Sequence, residues 1–309
     1  MIPSSPKVTV GLPVYNGERY LEQAVRSVLQ QDFVDFELLI ADNASTDATP
    51  DICRSVAALD DRIRYVRHAE NLGAMPNFTF CANSAQGRFF SWLACDDFLN
   101  DRSYLSTTVA FLEAHPDVVC CGTGIRRIEE DDTCCEVRFS RSLLPDVAWP
   151  LARRRFFAYE WSHDIYAIFG MFRREALQGI EFYESDHHPI FRIYPERLFL
   201  AQVALRGRIV MIETATRSMR FRDSSTCQKE IKSLTPEERG RVWVGLPIRW
   251  RLLTLALGAR ISAACRSQLI CVALKNFLLS PHELKEFLPV RARFIGRTMR
   301  KLLTRRTSA

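Results

Sequence analysis

The sequence predicts an α/β protein whose mainly parallel sheet is flanked by helices. Short apolar segments typical of buried strands alternate with amphipathic helical segments through the first 125 or so residues. Polar, carboxylate-bearing loops follow several of these apolar segments directly. The chain has 309 residues, of which 47% are hydrophobic and 25% charged, as is ordinary for a globular protein.

The first strands and helices follow from periodicity. Residues 7–12 form an apolar strand, and 13–17 form a loop rich in turn-forming residues. Apolar side chains at helical spacing predict a helix over 21–31. Residues 36–41 form the second strand, and 42–47 form a polar turn rich in helix-capping residues.

The following segments continue the alternation. Ile52, Val56 and Leu59 lie on one face of a second predicted helix. After it we predict strands over 63–67, 89–93 and 118–122, with helices over 78–85 and 105–114 between them. Because strand and helix alternate, the strands are expected to run mainly parallel.

The second half is less regular. Residues 126–160 carry many charges and paired cysteines, and we interpret them as loops or an insertion. Regular structure resumes at 165–172, followed by a helix over 195–206 and strands over 209–212 and 216–221. From residue 236 onward the pattern is helical to the end.

Asp96 and Asp97 close the aromatic, apolar run of residues 88–95. In open α/β sheets, ligands bind at the carboxyl ends of the strands, where these two acids are expected to lie. Adjacent carboxylates repel each other unless a cation lies between them, and a hard divalent cation takes oxygen ligands. A polar turn after the strand is the alternative, and a lone Asp-Asp pair favours it.

Three polar loops, 13–17, 42–47 and 96–97, are therefore expected to converge on one crevice. At these loops the chain resembles the family 2 glycosyltransferases. The residues that carry the resemblance, in order, are Leu12-Pro13-Val14-Tyr15-Asn16-Gly17, Ala41-Asp42-Asn43-Ala44-Ser45-Thr46-Asp47, Asn71-Leu72-Gly73, Trp92-Leu93-Ala94-Cys95-Asp96-Asp97-Phe98, Phe169-Gly170-Met171-Phe172-Arg173, Glu196-Arg197-Leu198-Phe199-Leu200-Ala201 and Ala204-Leu205-Arg206-Gly207. They span residues 8–226, about two-thirds of the chain.

The resemblance implies a GT-A fold, which is Rossmann-like, and an inverting enzyme that uses nucleotide-diphosphate sugars. It assigns Pro13, Tyr15 and Asn16 to the nucleotide pocket, and Asp42 and Asn43 to the base or ribose. An Asx-type turn or a helix N-cap explains the polar residues of the second loop equally well. The nucleotide stays open between UDP, dTDP and GDP types, because Asn43 replaces an acid that many relatives carry.

The resemblance further assigns Asp97 to a divalent cation, Mn²⁺ or Mg²⁺, and Asp96 to the ribose or a metal-bound water. Such a cation neutralises charge that builds on the departing diphosphate. Ala94 stands where many relatives have another acid. We therefore expect a modest metal affinity.

Glu196 corresponds to the general base, which takes a proton from an acceptor hydroxyl as that oxygen attacks the anomeric carbon. Asp186 is the second candidate. Pro195-Glu196 is also an ordinary first turn of a helix, with proline at its start and an acid complementing its dipole. Arg220 and Arg222 correspond to an Arg-x-His motif that closes over the diphosphate, with Arg222 in place of the histidine.

The net charge of +6 concentrates at the end of the chain. From Lys285 onward eight Lys or Arg residues accompany one acid, Glu286. A helix from residue 290 would be basic and amphipathic, and such a helix binds an anionic membrane surface or lies solvated on the domain. We accordingly divide the chain into a GT-A domain over 1–235, with a nucleotide-binding half to about 125 and an acceptor half over 126–235, and a helical, basic C-terminal region over 236–309 that binds membrane in the first interpretation.

The remaining expectations concern the compartment and the partners. The ten cysteines include no C-x-x-C pair, no secretory signal is evident, and the longest apolar stretch, 252–274, contains Arg260 and Arg266. We therefore expect a cytoplasmic protein, peripheral on the membrane if its tail binds there, and no nucleic-acid partner. The predicted function is metal-assisted transfer of a sugar to a hydroxyl of a glycan or lipid-linked acceptor in cell-surface polysaccharide or glycoconjugate synthesis. A non-catalytic nucleotide-sugar-binding or scaffold protein is the alternative.

Overall fold

The structure is a computed structural model that describes residues 5–129, 132–138, 143, 153, 156, 163–180, 195–220, 246–259 and 261–278. An eight-stranded sheet runs through it. Its strands are β1 (Val8–Val14), β2 (Phe36–Asp42), β3 (Ile63–Arg67), β4 (Phe89–Trp92), β5 (Val118–Ile128), β6 (Cys134–Arg138), β7 (Met171–Arg173) and β8 (Arg208–Arg220).

Seven α-helices are described. They are α1 (Leu21–Leu29), α2 (Thr49–Leu59), α3 (Ala74–Asn83), α4 (Tyr104–Ala114), α5 (Pro195–Ala204), α6 (Leu246–Gly258) and α7 (Ala263–Leu278). Two short 3₁₀ helices, His163–Phe169 and Arg174–Leu177, flank β7.

The first four strands are parallel and lie in the order β3-β2-β1-β4. The chain builds outward from β1 to β3 and then returns to the other side of β1 with β4. This reversal between β1 and β4 is a topological switch point, where a crevice opens at the carboxyl ends of the strands. The mainly parallel α/β arrangement predicted from the sequence is confirmed.

The second half of the sheet is mixed and centres on β5. β7 is antiparallel to β4 and to the first part of β5, and β6 is antiparallel to the last part of β5. β8 runs parallel to β5 along its full length. Because β8 pairs with the whole of β5, β6 and β7 must share its opposite edge.

Alternation along the buried strands divides the core into two layers. In β2, Leu38 and Ile40 face a cluster formed with α1, α2 and α4, while Leu39 and Ala41 face the cluster on the other side. That second cluster contains α3 and α5, and helices α6 and α7 contribute Leu252 and further apolar side chains to it. The described C-terminal helices therefore share the core of the sheet. No helix of the described residues is long and apolar enough to cross a membrane.

Five predicted elements differ from the structure. β1 continues through Pro13 and Val14, which were assigned to the following loop, and α3 begins at Ala74, four residues before its predicted start. The strand predicted over 118–122 continues to Ile128, and β6 pairs with the part that was assigned to loops. The two strands predicted over 209–212 and 216–221 are one strand, β8. Glu213 and Thr214 are exposed and break the apolar pattern, but the pairing passes from Thr123–Ile212 to Gly124–Thr216, so the extra residues bulge out of the ladder. The regular segment predicted over 165–172 is mostly 3₁₀ helix before β7.

Candidate functional site

The crevice at the β1–β4 switch point brings together the loops predicted from the sequence. Gly17, in the loop after β1, packs against Cys95, the residue before the acidic pair. A Cβ on Gly17 would lie 3.2 Å from Cys95 Sγ and 2.6 Å from Val14 Cγ2. The absence of a side chain at Gly17 therefore lets the β1 loop and the acidic loop meet.

The acidic loop is held against β8 like a short additional strand. Phe98 and Ser218 exchange two backbone hydrogen bonds of 2.9 and 3.2 Å. Asn100 Nδ2 donates to Thr216 Oγ1 at 2.9 Å, and Ser218 Oγ donates to Asn100 Oδ1 at 3.0 Å. Asp101 Oδ2 accepts from the Thr216 backbone N–H at 3.2 Å. The loop after β4 is thus fixed by a strand more than 100 residues later in the chain.

Asp97 lies at the bottom of this loop and is 3% exposed. Its Oδ1 accepts a 2.9 Å hydrogen bond from the Arg220 backbone N–H, and its Oδ2 lies 3.9 Å from Arg217 Nη2. Burial raises the pKa of the Asp97 carboxyl, and the neighbouring Asp96 charge raises it further, against the opposing effect of Arg217. Asp96 is half-buried beside it. A cation at this position would favour the ionised carboxylate and oppose both effects.

Arg217 is completely buried below Asp97. Its Nη1 donates to the Trp92 carbonyl at the end of β4 and to the Phe169 carbonyl, both at 2.8 Å. Its guanidinium lies over the Phe169 ring at 5.2 Å. Neither Nε nor Nη2 has a hydrogen-bond partner among the described residues. A permanent positive charge therefore lies beneath the acidic pair.

Arg220 has a different set of contacts. Its Nε donates to the Asp96 carbonyl at 3.2 Å and its Nη1 to the Glu129 carbonyl at 2.9 Å. Its Nη2 contacts Gln23 Oε1 and Asp132 Oδ1, and the guanidinium lies 4.2 Å from the centre of the Tyr20 ring. The predicted diphosphate contact of Arg220 stays a prediction, since in this structure the side chain joins α1, the β5–β6 turn and the acidic loop.

The loops after β1 and β2 are bonded to each other. Asn16, with a φ of 52°, donates its backbone N–H to Ser45 Oγ at 2.9 Å. Its Oδ1 accepts from the Thr46 N–H at 2.8 Å, and the Gly17 N–H donates to Thr49 Oγ1 at 2.8 Å. Asparagine tolerates this left-handed backbone better than most residues. The predicted nucleotide-pocket residue Asn16 thus also connects the two loops.

Asp42 ends β2 and is fully buried. One oxygen accepts from the Ser45 N–H at 2.9 Å, and the other accepts from Tyr65 Oη at 2.9 Å and lies 3.6 Å from Arg67 Nε. Burial, followed by the Asp42 hydrogen bond and charge, raises the pKa of Tyr65. Both carboxylate oxygens are therefore engaged within the protein. Contact with the base or ribose stays a prediction.

Asn43 ties the loop after β3 to the crevice. Its Nδ2 donates to Asn71 Oδ1 at 2.8 Å and to the Gly73 carbonyl at 2.9 Å, and its Oδ1 accepts from the Leu72 N–H at 2.9 Å. The Asn43 amide therefore positions the loop that carries the Asn71-Leu72-Gly73 motif.

Two further predicted pocket residues lie at the carboxyl end of β1. Tyr15, directly after β1, is 47% exposed. Pro13 is buried in β1 opposite Ala41 of β2, beyond the last β1–β4 pair, Gly11–Trp92. Because β4 no longer pairs with β1 there, a residue without a backbone N–H is tolerated.

Glu196 lies in the first turn of α5 and is half-buried. Phe199, one turn later, packs edge-on against Trp92 with 5.5 Å between ring centres. The helix that carries Glu196 therefore packs on the strand that leads to the acidic pair. Asp186 and Arg222, as well as the basic tail from Lys285, lie outside the described residues.

The acidic pair suits a hard divalent cation in the type of its donors. Asp96 and Asp97 supply carboxylate oxygens, which Mg²⁺ and Mn²⁺ prefer. Within the part of the chain that the structure describes, no group of three or more His, Cys, Asp or Glu residues could hold a metal ion. A cation here would thus take few protein ligands and complete its shell with water and phosphate oxygens.

The sequence interpretation missed Arg217 and the bonds from β8 to Asn100. An arginine in a strand is normally exposed, so its type alone gives no sign of burial. Its neighbours Thr216 and Ser218 are polar as well, so the sequence around Arg217 gives no signal of its burial.

Comparisons with known proteins agree with this architecture. Residues 9–180, more than half of the chain, match the family model described as "Glycosyl transferase family 2". Among solved structures, S. aureus TarS 1-349 in complex with UDP-GlcNAc superposes with a TM-score of 0.63 at 20% identity, over 94% of this chain and 79% of that one. Mannosyltransferase PcManGT from Pyrobaculum calidifontis, in complex with GDP-Man and Mn²⁺, gives 0.53 at 18% identity, over 89% and 88% of the two chains. At these identities the likeness is one of fold.

Curated relatives match parts of the chain. EpsE of Bacillus subtilis (strain 168), provisionally named a glycosyltransferase, is 35% identical over 148 residues, 48% of this chain and 51% of its own length. GalNAc(5)-diNAcBac-PP-undecaprenol beta-1,3-glucosyltransferase of Campylobacter jejuni is 25% identical over 206 residues, 65% of this chain and 64% of its own. The chain thus spans about half to two-thirds of the length of these two relatives. From its fold, its crevice and the family match, we conclude that the chain belongs to glycosyl transferase family 2.

Proposed function

We propose that the protein transfers a sugar from a nucleotide-diphosphate sugar to a hydroxyl of a glycan or lipid-linked acceptor, with inversion and with help from a divalent cation. The observation that carries the proposal is the fixed position of Asp96 and Asp97 at the β1–β4 switch point, beside the loops after β1 and β2. Nucleotides bind at such crevices in α/β sheets.

The donor class is supported by the neighbours in fold. TarS has been solved with UDP-GlcNAc and with UDP, and PcManGT with GDP-Man and Mn²⁺. We therefore keep UDP, dTDP and GDP as candidate nucleotides. Pro13, Tyr15, Asn16, Asp42 and Asn43 would form or support the nucleoside side of the site.

Asp97, assisted by Asp96, would hold Mn²⁺ or Mg²⁺. Such a cation, when bound, neutralises charge on the diphosphate as the bond to the sugar breaks. Arg220 and Arg222 would contribute positive charge on the diphosphate side.

On the acceptor side, Glu196 would accept the proton of the attacking hydroxyl, with Asp186 as second candidate. Because the hydroxyl attacks opposite the leaving diphosphate, the anomeric configuration inverts in one displacement. The packing of Phe199 on Trp92 supports this role, since it joins the helix of Glu196 to the strand before the acidic pair.

The acceptor proposal follows the relatives. The Campylobacter relative is named as a glucosyltransferase acting on an undecaprenol-linked glycan. We propose cell-surface polysaccharide or glycoconjugate synthesis at the cytoplasmic face of the membrane, with a GT-A domain over 1–235 and a helical C-terminal region over 236–309 whose basic tail binds anionic lipid. Co-sedimentation with anionic vesicles that is unchanged after deletion of residues 290–309 would reject the membrane part.

A thermal-shift panel tests the nucleotide site. UDP, GDP, CDP and dTDP are added with and without Mn²⁺ to the wild type and to Asp97→Ala. Stabilisation by one nucleotide that needs both Mn²⁺ and Asp97 supports the proposal and identifies the nucleotide. If none of the four raises the melting temperature of the wild type, the proposed site is wrong.

A non-catalytic nucleotide-sugar-binding or scaffold protein is the second candidate. Ala94 in place of an acid and the internal bonding of Asp42, Asn43 and Arg220 favour it. Sugar transfer in the wild type that is lost in folded Glu196→Gln would reject it.

A further inference from the structure

The inference concerns Arg217 and rests on the proposed function. A guanidinium keeps its charge at any ordinary pH, and a charge buried without a counter-ion costs much free energy. Asp97 is the acid within ion-pair distance of Arg217 among the described residues, with 3.9 Å between Nη2 and Oδ2. Arg217 donates to two carbonyls through Nη1, while its Nε and Nη2 have no hydrogen-bond partner among the described residues. The positive charge is therefore directed toward the acidic pair.

Arg173 provides an internal comparison. It is also buried, donates to the carbonyls of Val118, Leu112 and His115, and lies 5.7 Å from the centre of the Phe89 ring. In the described part of the chain no carboxylate pairs with it, and it lies at the opposite end of β4 from Asp97. Among the described residues, backbone carbonyls and an aromatic ring thus surround a buried arginine that has no counter-ion there. Packing needs alone do not explain why Arg217 faces a carboxylate.

The charges of the site lead to a specific expectation. The guanidinium of Arg217 offsets the negative charge that the ionised Asp97 carboxylate would present to a cation. Arg220, whose guanidinium pairs with Asp132, adds a smaller electrostatic effect of the same sign on Asp97. A divalent cation approaching without nucleotide meets this reduced charge and few protein ligands. A diphosphate supplies both the missing charge and further oxygens.

We propose that Arg217 is the built-in counter-ion of Asp97, and that it prevents the acidic pair from binding a divalent cation unless a nucleoside diphosphate binds with it. Arg217 acts on the cation through Asp97 and by its own positive charge, and is a positioning residue. Because coupling between two ligands is reciprocal, Mn²⁺ must tighten nucleotide binding by the same factor as the nucleotide tightens Mn²⁺ binding.

The test is calorimetric titration of Mn²⁺ into the wild type, Arg217→Met and Arg173→Met, each without nucleotide, with UDP and with GDP. In the wild type we expect Mn²⁺ alone to bind at least about tenfold more weakly than with the preferred nucleotide. Arg217→Met should bind Mn²⁺ alone about tenfold more tightly than the wild type, so that the gain from nucleotide shrinks. Arg173→Met should behave as the wild type.

Two further variants separate charge from structure. Arg217→Lys keeps the charge and should keep the coupling of the wild type. Circular dichroism checks that each variant folds, and Arg217→Gln, which removes the same charge and retains a donor, replaces Arg217→Met if that variant does not fold. Equal Mn²⁺ affinity of the wild type with and without nucleotide would overturn the inference. Equal changes in Arg217→Met and Arg173→Met would overturn it too.

The outcome is distinct from that of the proposed function. If neither UDP nor GDP binds, the proposed nucleotide site fails. The Mn²⁺ titrations without nucleotide still judge Arg217, since Arg217→Met must then gain measurable Mn²⁺ binding over the wild type. If it does not, Arg217 is not the counter-ion that limits metal binding.

Discussion

The backbone N–H of Arg220 donates to Oδ1 of Asp97 at 2.9 Å, although 123 residues separate the two in sequence. The same carboxylate has Arg217 at 3.9 Å on its other oxygen. The proposed metal ligand is thus held between two residues of β8. Its chemistry depends on that strand as much as on the loop that contains it.

Asp97→Asn should become more stable relative to the wild type as pH rises. The pKa of Asp97 is higher in the folded protein than its ordinary value of 3.8. Between these two values the folded state keeps a proton that the unfolded state has released, so the stability of the wild type falls as pH rises. Asparagine does not titrate. The melting-temperature difference, variant minus wild type, should increase by about 2 to 4 °C or more between pH 5 and pH 8.5 in metal-free buffer.

Asp61→Asn, at an exposed position before β3, is the matched control for that experiment. Its melting temperature relative to the wild type should not rise with pH in the same way. A difference for Asp97→Asn that is flat or that decreases from pH 5 to pH 8.5 contradicts the prediction.

Glu196→Gln should lose transfer activity and keep nucleotide binding. The amide cannot accept the hydroxyl proton, and general-base catalysis contributes about 10² to 10⁴ in rate. The measurement is the initial rate of sugar transfer at saturating donor, together with the thermal shift by the donor nucleotide. Glu175→Gln, at an exposed position in the second 3₁₀ helix, is the control. A Glu196→Gln variant with the activity of the wild type would move the role to another residue, with Asp186 next.

Asn43→Asp should lower both stability and nucleotide affinity. The carboxylate cannot donate to Asn71 Oδ1 or to the Gly73 carbonyl, and would face both oxygens without a hydrogen. Asn43 is 2% exposed, so losing both hydrogen bonds of this buried side chain and placing a carboxylate against two oxygens costs about 1 to 3 kcal/mol. Urea unfolding measures the free energy, with Asn83→Asp, exposed on α3, as the control. Equal stability of Asn43→Asp and the wild type would show that the amide does not hold the 71–73 loop.

Gly17→Ala should reduce nucleotide affinity more than its single methyl group suggests. The new Cβ would lie 2.6 Å from Val14 Cγ2 and 3.2 Å from Cys95 Sγ, so Val14 or the loop after β1 must shift. We expect a loss of about 1 to 3 kcal/mol of stability from overpacking and a weaker thermal shift with nucleotide. Gly258→Ala, at the end of α6 with open space around it, is the control. The prediction fails if both variants bind nucleotide as the wild type does.

The N-terminal half of the fold was predictable because its signals are local. The side chains of Leu38 to Ala41 alternate between the two buried faces of the sheet, and the polar residue Asp42 marks the end of the strand. Because the polar loops follow parallel strands, their order in the sequence was enough to predict that they meet at one edge of the sheet, and no knowledge of side-chain packing was needed. The four strands β1 to β4 agree with the predicted ones for the same reason.

The arrangement around β8 could not be predicted because its partners are distant in sequence. From its residue type alone, Arg217 would be predicted to be a solvent-exposed strand residue. Its burial depends on contacts with the end of β4 and with Phe169, which only the three-dimensional structure shows. Similarly, the sequence predicted ligand contacts for Asp42 and Asn43. Their hydrogen bonds to Tyr65 and to the 71–73 loop depend on the pairing of β2 with β3, which the sequence does not show.

The docking of the acidic loop on β8 has a consequence for the order in which the protein matures during synthesis. Asn100 precedes its hydrogen-bond partner Ser218 by 118 residues in the sequence, and Asp97 precedes Arg220 by 123 residues. While the ribosome is still making the intervening chain, the nascent N-terminal half has its crevice loops but lacks the strand that fixes the acidic pair. Contacts of such long sequence separation form late in folding. The nascent chain should therefore become able to bind the nucleotide in one step, after residue 220 has left the ribosome. A gradual gain as the first strands assemble is not expected.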